Sequence, residues 1–333
     1  MQMKAIVITE AGGPEKLVYQ DVPTPKVKPG WSLVKVKGFG INHSEIFTRK
    51  GLSPTVKFPR ILGIECVGEI AKTTDPVKLP VGQKVISIMG EMGRAFDGSY
   101  AEYTLLPNNQ IYPVTTDLSW KTLATIPETY YTAYGSLLNL KLTNNDTILV
   151  RGASSGVGVA FLKLVKACFP EIKITGTTRI KAKITQIQKL GFDKVVLDQA
   201  GILQTNDNYS KALELIGPAT IKDTFKHIKE GGIVCSTGQL GNQWYLKQFD
   251  PIMDLAPDSY LTSFYSGNVN DEKLNRLLQL IEEDQIAVEP VRVYRLDQVS
   301  QAHQYLESHQ SLGKVIVLNK RLVEKELFLS DVL

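Results

Sequence analysis

The segment RGASSGVG at residues 151–158 constrains the fold more than any other part of the chain. An apolar strand candidate, DTILVRG, leads into this glycine-bearing turn, and VGVAFLKLVKACF continues from it as an apolar helix. A strand, a tight turn and a helix in this order form the first half of a βαβ unit. The unpaired amides and positive dipole end of such a helix favour a phosphate at its N-terminus.

Against the pattern G-x-G-x-x-G, the turn places Ala153, Ser155 and Gly158 at the glycine positions, so only the third glycine is strictly present. The small alanine and serine side chains still permit close approach of a ligand to the backbone. A glycine-bearing turn that binds nothing is the alternative interpretation. Ser154 and Ser155 are candidates for capping the helix or for donating hydroxyls to the phosphate.

From about residue 120 onward, strand and helix candidates alternate at the spacing of βαβ units. This alternation predicts a doubly wound parallel sheet, whose ligand site lies at the carboxyl ends of the strands. The strand candidates are 146–152, 173–178, 194–198, 211–216, 232–237 and 259–266, and the helix candidates between them are 157–169, 181–190 and 218–229.

The first 118 or so residues are instead a run of short strand candidates punctuated by glycine and proline, which predicts an all-β, barrel-like domain. A helix is expected at 271–284. The strand GKVIVL at 313–318 has no helix after it, so we expect it to return to the first domain. We assign no function to the charged and apolar stretch at 319–333.

Composition excludes several classes of protein. The net charge of +4 is spread along 333 residues without basic blocks, so neither a nucleic acid nor a membrane surface is expected as a partner. Cysteines at 66, 168 and 235 have the spacing of neither a disulfide framework nor a metal motif, which indicates free thiols. The N-terminus lacks the apolar core of a signal peptide, so we expect a cytoplasmic location.

The end of the second parallel strand indicates which dinucleotide binds. An NAD-binding unit places an acidic residue here to bind the ribose 2′-hydroxyl, whereas an arginine accommodates a 2′-phosphate. This strand ends GTTRIKAK, with Thr178 at the acid's place, Arg179 after it and Lys183 nearby. We therefore predict NADPH as the cofactor, with a solvated basic helix start as the alternative.

With these features the chain resembles the medium-chain dehydrogenase/reductase superfamily, and within it the zinc-free quinone oxidoreductase branch. The resemblance implies an α/β fold: a Rossmann NADPH-binding domain over 123–267 and a GroES-like β-barrel catalytic domain over 1–122, to which 268–333 return. Besides the turn, the matching segments are FGINHSEIFTRKG (39–51), ILGIECVGEI (61–70), VGQKVISIMG (81–90), DGSYAEY (97–103), TAYGSL (132–137), GGIVCSTG (231–238) and GKVIVL (313–318).

The resemblance also locates the positions at which zinc-dependent relatives carry their metal ligands, and these are Asn42, Ile64 and Glu128 here. Since none of them is a cysteine or histidine, we predict no metal site. Glu65 matches an acid that lies behind the metal in those relatives, and we expect it to form a structural ion pair. His43 is a candidate for a cofactor or substrate contact, with a plain surface histidine as the alternative.

The remaining site residues come from the same motif matches. Asn42, Tyr130 and Tyr131 are candidate catalytic hydrogen-bond donors, although the two tyrosines would equally suit packing aromatics. Phe47 stands where the family often has a tyrosine, and Arg49 nearby is expected to be structural. Further cofactor contacts that the resemblance implies are Gly156, Val157 and Gly158 at the pyrophosphate, Asn42 and Thr132 at the nicotinamide end, and Gly238, Phe264, Ser266 and Lys314.

The expected activity is hydride transfer from NADPH to a quinone or an α,β-unsaturated carbonyl. Such acceptors take hydride at carbon and delocalise the charge onto oxygen, so they do not need the Lewis acid that zinc provides. An NADPH-binding redox sensor or structural protein without catalysis is one alternative, and a zinc alcohol dehydrogenase is another. Relatives often form homodimers, and the edge strand SYLTSFYS is a candidate for such pairing.

Overall fold

A computed structural model describes residues 1–319 and Leu322. Nearly all of the 319–333 stretch therefore lies outside the described residues. The chain divides into two compact units. The first contains residues 1–128, 266–282 and those from 288 onward, and the second contains residues 129–265 and 283–287.

Short strands dominate the first 118 residues, as predicted, and six of them have five or more residues. Two further strands, each of two residues, are too short to leave a pattern in the sequence. The elements up to residue 140 are β1 Gln2–Ile8, β2 Val18–Pro23, β3 Trp31–Ile41, α1 His43–Arg49, β4 Arg60–Ile61, β5 Glu65–Lys72, β6 Lys84–Ile88, β7 Tyr103–Pro107, β8 Tyr112–Pro113, α2 Trp120–Thr125 and α3 Pro127–Leu140.

Strands and helices alternate after residue 146. The elements up to residue 263 are β9 Thr147–Arg151, α4 Gly156–Cys168, β10 Lys173–Thr178, α5 Ile184–Gln188, β11 Lys194–Gln199, β12 Ile202–Leu203, β13 Tyr209–Glu214, α6 Ile221–Phe225, β14 Ile228–Ser236, α7 Pro251–Asp254 and β15 Tyr260–Ser263. The last elements are α8 Asp271–Glu283, β16 Arg292–Arg295, α9 Val299–Glu307 and β17 Val315–Leu318.

The second unit, all of whose residues are described, is built on a sheet in the order β12-β11-β10-β9-β13-β14-β15. All of its strand pairs are parallel except β11 with β12. Chain order reverses at β9, with β10 on one side and β13 on the other, and this point is where a doubly wound sheet binds its ligand. The predicted doubly wound parallel sheet is confirmed.

Two of the predicted helices differ from the structure. The helix expected at 218–229 ends at Phe225, and Ile228 already pairs with Tyr209 as the first residue of β14. Pairing with β13 overrides the local helical pattern because Ile228 is buried in the sheet. The helix expected at 181–190 is a short 3₁₀ turn, Lys181–Lys183, followed by α5.

The first unit contains a sheet in the order β2-β1-β4 and a larger one in the order β16-β17-β3-β5-β6-β8, with β7 also paired to β3. Strand β17 runs antiparallel to β3, with Val315 opposite Ile41. The strand predicted at 313–318 therefore does return to the first unit. Its side chains enter the same apolar core as those of β1, β3 and β5, which includes Ile6, Val34 and Val317.

Candidate functional site

The turn after β9 has the geometry of a phosphate-binding loop. Gly152 follows the last strand residue with φ +88°, a left-handed conformation that glycine adopts without steric cost. Helix α4 begins four residues later, at Gly156, and the Ser155 Oγ accepts a hydrogen bond from the Gly158 N–H at 3.1 Å. Of the two roles considered for Ser155, the structure shows the helix cap.

Gly158 lets helix α4 pack closely against the turn. A Cβ placed on it would lie 2.6 Å from the Gly152 carbonyl oxygen and 2.9 Å from that of Ala153, closer than real Cβ atoms come. The glycine required for the sharp turn is Gly152, which an alignment starting at Ala153 leaves out. The local chain therefore carries glycine at both places where the backbone requires it.

The end of β10 lies beside this turn. Strands β9 and β10 are adjacent and parallel, with Val150 opposite Gly176. Thr178 is buried at the end of β10, and its Oγ1 accepts the Ile180 N–H at 3.1 Å. The next residue, Arg179, is exposed, while Lys183 is half-buried, and burial lowers its pKa. The structure thus brings the basic residues and the α4 N-terminus to one edge of the sheet.

Five other predicted site residues of the second unit lie on α3 and at the ends of β14 and β15. The Thr132 carbonyl oxygen accepts the Ser136 hydroxyl at 2.8 Å, and the Ser136 Oγ lies 2.9 Å from the Thr237 Oγ1, one residue before Gly238. The ring centroids of Tyr131 and Phe264 are 5.7 Å apart. Tyr130 and Tyr131 are both buried.

In the first unit, the buried Glu65 and Lys314 and the half-buried Asn42 form one polar cluster. The Lys314 Nζ donates to the Glu65 Oε1 at 2.6 Å and to the Asn42 Oδ1 at 2.7 Å. The Asn42 Nδ2 donates in turn to the Glu65 Oε1 at 2.8 Å. The amide therefore has a defined orientation, its oxygen toward the ammonium and its nitrogen toward the carboxylate. Glu65 forms the ion pair that we expected of it.

A second buried carboxyl, Glu45, lies next to this cluster. It accepts the Asn42 N–H at 3.0 Å and the Ile64 N–H at 3.2 Å. Burial and the nearby Glu65 carboxylate raise the pKa of Glu45 to about 7. Gly40 makes room for the ion pair, because a Cβ on it would lie 2.5 Å from the Lys314 Nζ.

The three positions that correspond to zinc ligands in relatives meet around Glu65. Asn42 donates to one of its oxygens, the Glu128 N–H donates to the other at 2.7 Å, and Ile64 precedes it in the chain. These residues do not fit a zinc ion, since they lack thiolate and imidazole and since the Lys314 ammonium binds the oxygens of Asn42 and Glu65. Nowhere in residues 1–319 do three or more His, Cys, Asp or Glu side chains converge as a metal site would require.

Three further residues named in the sequence analysis, Ser266, His43 and Arg49, also lie in the first unit. The Ser266 Oγ donates to the Glu128 Oε1 at 2.8 Å. His43 begins α1, with its ring centroid 6.5 Å from that of Phe47, and burial lowers its pKa to about 4, so the ring is neutral at pH 7. Arg49, expected to be structural, is fully buried and donates to the Glu307 Oε2 at 2.6 Å.

Two charged residues near the candidate site, Arg151 and Glu45, were not predicted from the sequence. Arg151 ends the apolar strand β9 and is fully buried. A basic residue at the end of the strand TILVR was a visible signal, as were the acidic residues at the ends of the segments KVVLD and YSKALE. Glu45 follows Asn42 by three residues, the spacing of a capping box, which would have predicted the contact between them.

The structure also bears on the state of the cysteines and on membrane-spanning helices. Cys66 and Cys235 are buried and Cys168 is half-buried, and all three are free thiols. In the part of the chain that the structure describes, every helix is too short or too polar to span a bilayer.

Comparison with known proteins is consistent with this geometry. Residues 28–116 match the family model described as "Alcohol dehydrogenase GroES-like domain", and residues 190–317 match "Zinc-binding dehydrogenase". The solved quinone oxidoreductase of Coxiella burnetii superimposes with a TM-score of 0.81 at 23% identity, covering 96% of this chain and 100% of that one. The α/β fold, with its Rossmann sheet and GroES-like domain, is thereby confirmed.

Relatives match over nearly the whole chain. The quinone oxidoreductase of Lama guanicoe is 26% identical over 336 residues, covering 96% of this chain and 98% of its own length. The chloroplastic NADPH-dependent alkenal/one oxidoreductase of Arabidopsis thaliana is 25% identical, covering 95% of this chain and 79% of its own. The chain belongs to the medium-chain dehydrogenase/reductase superfamily, in its quinone oxidoreductase-like branch.

Proposed function

We propose that this protein is an NADPH-dependent reductase that transfers hydride to a quinone or an α,β-unsaturated carbonyl without a catalytic zinc ion. The observation that carries the proposal is the arrangement of residues at the carboxyl edge of the Rossmann sheet. There the Gly152 turn and the α4 N-terminus lie beside a strand that ends at Thr178 and is followed by Arg179, with no acidic residue at this place. The names of the relatives, a quinone oxidoreductase and an alkenal/one oxidoreductase, support the choice of acceptors.

The second unit has the features that a dinucleotide requires. The amides at the start of α4 would bind the pyrophosphate, and the absence of side chains at Gly152 and Gly158 permits close approach of the backbone. Arg179 is exposed at the strand end, where its planar guanidinium would bind a 2′-phosphate through two parallel hydrogen bonds, with Lys183 adding a second positive charge. Asn42, Thr132, Gly238, Phe264, Ser266 and Lys314 remain our proposed contacts for the rest of the cofactor.

Reduction without zinc suits the cluster around Lys314. When bound, the cofactor supplies a hydride, which adds to a carbon of the acceptor while a proton from solvent completes the product. The developing negative charge on the acceptor oxygen needs a fixed hydrogen-bond donor or cation rather than a metal. Asn42 is our proposed donor, since Lys314 and Glu65 fix the orientation of its amide and only one of its two Nδ2 hydrogens is held tightly, by Glu65 at 2.8 Å, the Glu45 Oε1 lying 3.5 Å away. Tyr130 and Tyr131 remain candidates for the same task.

Steady-state kinetics test the function and the cofactor together. Wild-type protein and the Arg179→Ala variant are assayed with NADPH or NADH against a naphthoquinone, trans-2-hexenal and 3-buten-2-one. We expect the variant to raise the KM for NADPH about 10- to 100-fold, because a charged hydrogen bond contributes about 1.5–3 kcal/mol. The KM for NADH should change little. Lys181→Ala, a change of an exposed lysine in the same segment, is the matched control and should leave both values near wild type.

Two outcomes would contradict the proposal in different ways. Tight NADPH binding without turnover on any acceptor would refute the reductase and favour a binding protein that has lost catalysis. Equal effects of Arg179→Ala on the two cofactors would refute the role of Arg179 in selecting NADPH.

We further propose that two copies associate through β15. This strand lies at the end of its sheet, where unpaired backbone groups are open to another strand. Apolar side chains on and near it are exposed, among them Tyr260, Ile252 and Met253.

Tyr260→Lys is expected to convert a dimer to a monomer in sedimentation or light-scattering measurements at micromolar concentration. Tyr245→Lys, which changes another exposed tyrosine outside the strand, should leave the dimer intact. A monomeric wild type or a dimeric Tyr260→Lys variant would contradict the proposal.

A further inference from the structure

We propose that Arg151 is a positioning residue for the dinucleotide. Its buried guanidinium holds the turn at 152–158 and the loop at 215–220 in the geometry that receives the cofactor. The inference rests on the proposed function, because it concerns how the same edge of the sheet is shaped. Arg151 itself is fully buried and is not proposed to touch the cofactor.

The guanidinium joins three segments at the carboxyl edge of the sheet. Its Nε and Nη2 donate to the Asp198 Oδ2 at 3.1 and 2.8 Å, and Nη2 also donates to the Gly201 carbonyl oxygen at 2.9 Å. Its Nη1 donates to the Asp223 Oδ2 at 3.0 Å, the Thr220 carbonyl oxygen at 3.1 Å and the Thr224 Oγ1 at 3.0 Å. Arg151, the residue before Gly152, is thus hydrogen-bonded to the end of β11 and to the start of α6.

Glu214, at the end of β13, extends this network into the loop that follows it. Its Oε1 accepts the N–H groups of Ile216 at 2.8 Å and Gly217 at 3.0 Å, and its Oε2 accepts the Thr224 hydroxyl. Thr224 therefore accepts from Arg151 and donates to Glu214. Arg151 and Glu214 together determine the path of the loop at 215–220.

This loop is in close contact with two of the predicted cofactor segments of the second unit, the Gly152 turn and the Gly238 segment. The Leu215 N–H donates to the Arg151 carbonyl oxygen at 3.2 Å, and a Cβ on Gly152 would lie 3.2 Å from the Leu215 Cβ. A Cβ on Gly217 would collide with the Gly238 carbonyl oxygen, and one on Gly238 with that of Leu215. Because these backbones touch, a shift of the loop would displace the Gly152 turn or the Gly238 segment.

A role in stability alone does not account for this arrangement. Buried ion pairs are often no more stabilising than apolar side chains of the same size, whereas they impose one geometry on the groups they bind. Burial raises the pKa of Glu214, and the Arg151 charge opposes that shift and favours the carboxylate. An arginine is suited to the site because its planar fork reaches Asp198 and α6 at the same time, which the single ammonium of a lysine does not.

Calorimetric titration of the full-length protein with two ligands tests the inference. NADPH contacts the turn through its pyrophosphate, whereas adenosine 2′-monophosphate carries the 2′-phosphate and lacks the pyrophosphate. For Arg151→Lys we expect the Kd for NADPH to rise about tenfold or more, and the Kd for adenosine 2′-monophosphate to stay within about twofold of wild type. Arg49→Lys, a change of a buried arginine in the other unit, is the matched control and should alter neither Kd.

A milder variant keeps the inference testable if Arg151→Lys fails to fold. Thr224→Val keeps the side-chain shape but removes the hydroxyl between Arg151 and Glu214, and should raise the Kd for NADPH about two- to fivefold with no change for adenosine 2′-monophosphate. The positioning role is refuted, while the proposed function stands, if wild type binds NADPH and the variants raise the Kd values of both ligands equally or leave both unchanged. If wild type binds no NADPH, the proposed function fails first.

Discussion

Replacing Lys314 with methionine is expected to lower the free energy of unfolding by about 3–5 kcal/mol, the usual cost of removing one partner from a buried ion pair. The Lys314 and Glu65 side chains are nearly inaccessible to solvent, and their charged atoms are 2.6 Å apart. Without the ammonium, the Glu65 carboxylate would be buried without its counter-charge, and the Asn42 oxygen would lose its donor. Urea denaturation of wild type and Lys314→Met, followed by tryptophan fluorescence, measures the difference.

The double variant Glu65→Gln/Lys314→Met separates the charge effect from loss of packing. It should recover most of the lost stability, because a neutral amide is far less costly to bury than an uncompensated carboxylate. Lys37→Met is the control, since Lys37 pairs with Glu69 in a partly exposed ion pair at 2.8 Å and should cost only about 0.2–1 kcal/mol. A loss as small for Lys314→Met as for Lys37→Met would show that the buried pair does not organise the cluster.

Acidification is expected to destabilise the first unit through His303. This histidine is fully buried, and its Nε2 lies 2.9 Å from the Tyr100 hydroxyl. Burial first, and then the positive charge of Arg49, lower its pKa to about 3. Between pH 6.5 and about 3 the folded protein therefore binds fewer protons here than the unfolded chain, and the free energy of unfolding falls as the pH falls. The loss from this group approaches 4–5 kcal/mol at the acid end and is about 2–3 kcal/mol at pH 4.5.

The variant His303→Gln removes the titrating group, and its stability should therefore fall by about 2–3 kcal/mol less than that of wild type between pH 7 and 4.5. Tyr100→Phe keeps the buried histidine and deletes only the hydroxyl beside it, so it should retain the wild-type pH dependence. Both are best measured in a Trp244→Phe background, in which Trp31 and Trp120 report on the first unit. Identical pH dependence in His303→Gln and wild type would contradict the assignment.

Much of the fold was predictable because its elements are encoded locally. Apolar strands bounded by glycine and proline predicted β1, β3 and β5, and the 3.6-residue period of VGVAFLKLVKACF predicted α4. The failure at 218–229 has the opposite cause. Ile228 belongs to a strand because its partner is Tyr209, 19 residues earlier, and no local pattern contains that pairing.

The candidate site also combines residues that the sequence could identify with contacts that only the fold creates. Thr178 and Arg179 could be named as candidates from the sequence because they lie at the carboxyl end of the second parallel strand, the place where a dinucleotide-binding sheet meets the ribose. The family resemblance also singled out Asn42, Glu65 and Lys314, but only one at a time. Their mutual hydrogen bonds depend on β17 pairing with β3, which brings residue 314 beside residue 42.

By itself, the sequence determined the two kinds of architecture, the glycine-bearing turn with its helix, and the strand end that lacks an acid. These depend on residues a few positions apart, within the reach of backbone preference and side-chain periodicity. Only the tertiary structure decided that an ammonium lies among the residues at the zinc-ligand positions and that Arg151 connects the loops behind the turn. Burial sets the energy of those charges and distant strand pairing sets their neighbours, and both arise only when the chain is folded.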